Sequence, residues 1–245
     1  MVVTNEKTVS EAINYRRSVR VFKKEPIDEE KVRDCIELAT LAATSSNMQL
    51  WEFYHVVSLD TLRQLTEASF DQSAARTARQ MIVVVARKDL WNKRAQANID
   101  FLKSQYGNKP VSKYSKREKF ALNYYQKIIP SIYFDFLGIL GIIKFLAFQM
   151  IGLFRPIYRQ ARQSDIRIVA HKSAGLAAQN FMISMAALNY DTCPMEGFDS
   201  LLVKKALDLP SSSEINMIIA CGIRDENGIY GARFRIPFEE VYFKK

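Results

Sequence analysis

Three guanidiniums and a hydroxyl fall within five consecutive residues at Arg16-Arg17-Ser18-Val19-Arg20, directly after a short helical segment. Such a group can neutralise a phosphate and hold it through paired, charge-assisted hydrogen bonds. The same run also suits a solvated basic turn. A second basic pair, Arg233 and Arg235, stands near the far end of the chain in Gly231-Ala-Arg-Phe-Arg-Ile-Pro237. In a strand, residues two apart share a face, so both guanidiniums could reach one anion; on an edge strand they would guard against pairing with another chain.

Two polar segments lie between these clusters. Thr44-Ser45-Ser46-Asn47-Met48-Gln49-Leu50-Trp51 reads as a loop at a helix C-terminus, able to offer amides and hydroxyls to the edge of a heterocycle. Thr192-Cys193-Pro194-Met195-Glu196-Gly197-Phe198-Asp199 reads as a turn in which Gly197 lets the backbone approach a ligand closely. Neither a nucleophile triad nor a metal-ligand set is visible. His55 and His171 stand 116 positions apart and read as structural, and Cys35, Cys193 and Cys221 lack a C-x-x-C spacing.

Elements must bring these segments together. Asp28 is a candidate N-cap, and Val32, Ile36, Ala39 and Ala43 follow at helical spacing, which predicts a helix ending near Ser45-Ser46-Asn47. Residues 53–57, 81–85 and 215–220 are β-branched or aromatic runs of strand length. Residues 173–188, rich in Ala and Met, suit a closely packed central helix, and 231–243 an extended tail. Mixed helices and strands give an α/β or α+β class in a single domain.

In this order the four segments resemble the nitroreductase or flavin reductase family, with its R-R-S-x-R start, S-x-N-x-Q-x-W loop, P-x-E-G-F-D turn and basic pair before a proline. The resemblance covers residues 12–86 and 173–243. It implies an α+β fold with a mainly antiparallel central sheet flanked by helices, in an intertwined homodimer whose C-terminal tail reaches the partner. It further implies that Arg16, Arg17, Ser18, Arg233 and Arg235 hold the phosphate and ribityl chain of FMN. Arg20 would lie near the N1 and C2 carbonyl edge, where a cation stabilises the charge of the reduced ring. Pro194 and Met195 lead into the turn where the backbone N–H of Glu196 or Gly197 faces flavin N5. Ser45, Asn47 and Gln49 would approach from the other subunit, and Gln72 loosely matches a family asparagine. Ala43 and Leu50 replace two usual prolines.

The activity implied is FMN-dependent transfer of reducing equivalents from NAD(P)H to a small acceptor such as a nitroaromatic or quinone, by a ping-pong mechanism with no catalytic side chain. Within the family, reductive dehalogenation or flavin consumption are alternatives. A flavin-bearing membrane-surface module without catalysis is a third.

The net charge of +9 is not spread evenly. Residues 87–172 hold 17 basic and 5 acidic residues, a net +12, against 18 and 21 elsewhere, a net −3. This insertion also contains Ile132–Phe154, 23 residues charged only at Asp135 and Lys144. A single crossing of a bilayer would separate the first cluster from the P-x-E-G turn, so the segment must return to its starting side. Flanking bases across 109–172 favour contact with an anionic membrane surface over a buried helix or nucleic acid, for which no motif is present. The polar N-terminus carries no secretory pattern, and the expected location is cytoplasmic, peripheral to the inner membrane surface.

Overall fold

The computed structural model describes residues 6–107, 109–134 and 139–245. Asp135, used above in reading the apolar stretch, lies outside them. Helix α1, Val9–Tyr15, is started by a reciprocal cap in which the Glu11 amide donates to the Thr8 hydroxyl and the Thr8 amide to the Glu11 carboxylate. It stops at Arg16, whose backbone leaves helical geometry. Helix α2, Glu29–Ala39, begins as expected at Asp28, whose carboxylate accepts from the Glu30 and Lys31 amides. It ends earlier than its periodicity predicts. The Thr40 hydroxyl donates to the Glu37 carbonyl, and the amides of Leu41 and Ala42 tighten to partners three residues back.

Four strands form one antiparallel sheet in the order β1-β2-β4-β3. Trp51–Val56 is β1; α3 (Leu59–Ala68) and α4 (Ser73–Thr77) then lead to β2, Gln80–Ala86. Every residue of β2 is buried, as its unbroken apolar run requires of a central strand covered on both faces. Ile82, Val84 and Ala86 face the core cluster that includes α2; Met81, Val83 and Val85 face the one that includes α3 and α4.

After β2 come α5 (Trp91–Gln105), α6 (Lys116–Asn123), a π-helical turn at 124–128, α7 (Ile129–Tyr133) and α8 (Ile139–Ile151). Helix α9, Gln163–Ala187, starts ten residues before the expected Ser173, because Ile166 and Ala170 already belong to the buried stripe that continues through Ala174, Ala177, Phe181 and Met185. His171 therefore sits within it. β3, Asp191–Met195, was not expected as a strand. It lies at the sheet edge, paired along its length with β4, and its outer side meets an isolated bridge from Ser18 to Thr192, so Pro194 interrupts no ladder there. α10 (Ser200–Ala206) and β4 (Glu214–Gly222) complete the body.

One ion pair ties three chain regions together. The Asp191 carboxylate, 1% exposed, accepts from the backbone amide of Arg224 at 2.8 Å and from its guanidinium. That guanidinium also donates to the Tyr15 carbonyl and lies over the Tyr15 ring at 4.0 Å. Removing the arginine strands a buried carboxylate, whereas removing the aspartate leaves a partly hydrated cation. Arg224→Met should therefore lower unfolding free energy by about 3–5 kcal/mol and Asp191→Ala by less. Urea titrations followed by circular dichroism check this; equal or negligible shifts would contradict it.

Candidate functional site

The two arginine clusters, separated by more than two hundred residues of sequence, meet. Arg16, Arg17, Ser18, Arg20, Arg233 and Arg235 line one cleft of about 310 Å³ whose walls contain no Asp or Glu. The first cluster is positioned by the sheet edge. Ser18 bridges Thr192 of β3 in parallel, the Val19 amide donates to the Thr192 carbonyl at 3.1 Å, and the Arg20 amide donates to the Gly228 carbonyl. Val19 itself is fully buried in the core on the α3 side of the sheet, which pins the segment.

The second cluster is not in a strand. Residues 231–237 are irregular, and the tail lies over the first cluster through side-chain bonds to backbone oxygens. Arg233 donates to the carbonyls of Asn14 and Arg16 at 2.8 and 2.6 Å, and Arg17 donates to the Gly231 carbonyl at 2.7 Å. Gly231, at φ +109°, permits the turn into the tail.

These bonds orient the guanidiniums without neutralising them. The Arg16 guanidinium has no acceptor among the described residues, and its pKa is lowered by burial first and then by repulsion from Arg233 and Arg235. Half-buried cations crowded without a carboxylate are costly until an anion joins them. A phosphate fits this cradle on charge and on donor number.

At the neighbouring turn, Pro194 and Met195 end β3, while Glu196 and Gly197 are exposed. Gln72, just ahead of α4, donates its side-chain amide to the Gly197 carbonyl at 2.7 Å, which puts the loosely matched residue at the turn the resemblance names. Asp199 closes the turn by capping α10 through the Leu201 and Leu202 amides. Arg20 reaches back to β3, donating to the Cys193 sulfur at 3.3 Å. Burial raises the Cys193 pKa despite the nearby Arg20 and Arg16, which disfavours the thiolate.

Ser45, Asn47 and Gln49 do not line the arginine cleft. Their loop is held elsewhere: Asn47 and Asn98 exchange side-chain and backbone bonds at 3.0 Å, the Tyr125 hydroxyl donates to the Ser46 carbonyl, and Gln49 donates to the Asn47 side chain. Ser46, Asn47 and Gln49 all have positive φ near 50°, strain that these bonds hold in place. Both histidines have local partners, His55 with Gln80 at 2.7 Å and His171 with Glu214 and Asn216 at 3.1 Å.

Sequence reasoning missed Tyr15, Asp191, Arg224 and Thr192, which place the first cluster, and Asn98 with Tyr124 and Tyr125, which hold the loop. The one available signal is Asp191 itself, an acid directly before a run that ends in apolar core.

An antiparallel sheet flanked by helices thus carries a basic cleft where residues 16–20 meet residues 233–235. The nitroreductase family profile matches residues 13–223, and this chain belongs to that family. Protein DrgA of Synechocystis sp. is 28% identical over 219 residues, covering 89% of this chain and 84% of its own length. MhqN of Bacillus subtilis, named as an NAD(P)H nitroreductase, is 24% identical over 230 residues, covering 93% of this chain and 94% of its own. A nitroreductase-type protein of Exiguobacterium sibiricum, solved with FMN, shares the fold at a TM-score of 0.66 and 20% identity, with 98% of each chain covered.

If the cleft is an anion site, inorganic phosphate should raise the melting temperature of the flavin-free protein, by mass action on the folded state. Arg16→Ala should remove that rise. A melting temperature unmoved by phosphate in the parent, or still raised in the variant, would contradict the assignment.

Proposed function

We propose that this protein is an FMN-dependent oxidoreductase that draws on NAD(P)H and reduces a small acceptor such as a nitroaromatic or quinone. The observation that carries the reading is the meeting of Arg16, Arg17, Ser18, Arg20, Arg233 and Arg235 around an acid-free cleft. Membership of the nitroreductase family, the NAD(P)H-nitroreductase name of one relative and the FMN in a solved neighbour support it.

In this reading Arg16, Arg17, Ser18, Arg233 and Arg235 hold the phosphate end of FMN. Arg20, kept in place by Cys193, supplies positive charge at the ring edge. The backbone N–H of Glu196 or Gly197, steadied by Gln72, faces the reacting nitrogen, and Pro194 and Met195 set that turn at the end of a paired strand. When bound, FMN supplies the redox chemistry itself, accepting reducing equivalents from the nicotinamide and passing them to the acceptor in two successive half-reactions. The protein's part is binding, orientation and charge, so no acid or base need come from a side chain.

The protein works as a homodimer in this reading, with Ser45, Asn47 and Gln49 serving the partner's flavin. Two features support it. The loop is built and strained yet stands apart from its own cleft, and the tail carries Phe234, Phe238 and Phe243 more than 60% exposed in the single chain.

FMN titration followed by flavin fluorescence tests the phosphate cradle. Arg16→Ala and Arg235→Ala should each weaken FMN affinity by about 1.5–3 kcal/mol, roughly ten- to a hundredfold, as expected for one charge-assisted bond. Affinity unchanged in both variants would sink the assignment.

A further inference from the structure

Helix α8 is apolar all round, yet only its inner side is covered. Gly141 is its buried residue. Ile139, Ile143, Leu146 and Met150, spaced four, three and four apart along one helix face, are each more than half exposed, as are Leu153 and Phe154 in the turn beyond. The polar side chains of the helix are tied back. Lys144 donates to the Phe134 carbonyl at 2.6 Å, and Gln149 accepts from Arg159 at 2.7 Å. Arg159 and Arg162 border the helix, the first bonded to the Gly152 carbonyl and the second over the Phe145 ring at 4.5 Å. Exposed Arg155 follows directly, and among the described residues neither Arg155 nor Arg159 has a carboxylate partner.

An apolar face bordered by Arg155 and Arg159, which have no carboxylate partner among the described residues, sets a condition on what covers it. A second copy docked face to face would set a second segment of net +12 against the first. An anionic lipid surface meets both halves of the patch at once: acyl chains take the isoleucine, leucine and methionine side chains while headgroups answer the arginines. Thirteen residues rise only about 20 Å, and no helix among the described residues is long and apolar enough to cross a membrane, so the helix would lie in the plane of the surface.

We propose that the outer face of α8, with Leu153, Phe154, Arg155 and Arg159, docks this protein on an anionic lipid surface. The proposal does not rest on the flavin reading. Flotation of the full-length protein with vesicles of phosphatidylcholine, alone or mixed with phosphatidylglycerol, tests it, with sedimentation velocity on the same samples. The parent should float with the mixed vesicles and less so as salt rises. Leu146→Glu combined with Met150→Glu should weaken binding roughly tenfold or more, having lost two apolar anchors. Arg155→Ala should weaken it roughly fivefold and, as a change at one exposed side chain, keeps the test decisive if the first variant fails to fold. Both variants should keep the parent's sedimentation coefficient. A parent that stays with the protein fraction, variants that float as well as the parent, or a double glutamate variant that folds but changes oligomeric state would each overturn the proposal.

Discussion

The carboxylate of Asp191 is sealed at the head of β3, and the arrangement of the site follows from how its charge is answered. Arg224, just past the end of β4, supplies both its amide and its guanidinium, and the same guanidinium holds the carbonyl of Tyr15. The residue after Tyr15 is Arg16. A single buried charge pair thus fixes the edge strand, the end of the central ladder and the exit from α1, so that the arginine run leaves its helix beside β3. Buried pairs of this kind add little net stability over an apolar replacement, but breaking one is costly, which makes them effective at enforcing one arrangement.

That constraint allows a second, opposed one. Five guanidiniums share a cleft with no carboxylate, and the tail arginines are held over the first cluster by bonds to carbonyl oxygens that orient them without cancelling their charge. In the proposed reading, an anion relieves the repulsion that Arg16 meets from Arg233 and Arg235. The scaffold that bears it is rigid, with β2 buried on both faces and α9 packed along the sheet. The basic, apolar segment between β2 and α9 stands apart in kind: there the exposed face of α8 offers hydrophobic area in place of a charge cradle.

Much of this was legible in the sequence, for identifiable reasons. β1, β2 and β4 are close to their expected bounds because β-branched and aromatic runs favour extended backbone, and in β2 such a run is buried on both faces. β3 escaped notice because Asp191 and Pro194 are poor strand formers, and the strand exists through its pairing with β4. The start of α9 was hidden by polar residues, among them Gln163, Asp165, Arg167 and Lys172, that occupy the uncovered side of a helix whose buried stripe begins at Ile166. The arginine clusters were found by composition alone. Their expected strand geometry at Arg233 and Arg235 was not, since the tail is held by side-chain bonds to α1 and its exit and not by a ladder. Asp191 and Arg224 could not be paired by any spacing rule, because their partnership is set by the register of an edge strand.

The central claim is that the arginine cleft serves a flavin reduced by nicotinamide. An absorbance spectrum of the purified protein, reconstituted with FMN if colourless and then followed anaerobically on adding NADH and NADPH in turn, addresses it most directly. The account predicts a flavin spectrum that bleaches with at least one of the two and returns on adding a nitroaromatic or a quinone. A protein that takes up no FMN, or whose bound flavin neither nicotinamide reduces, would contradict it.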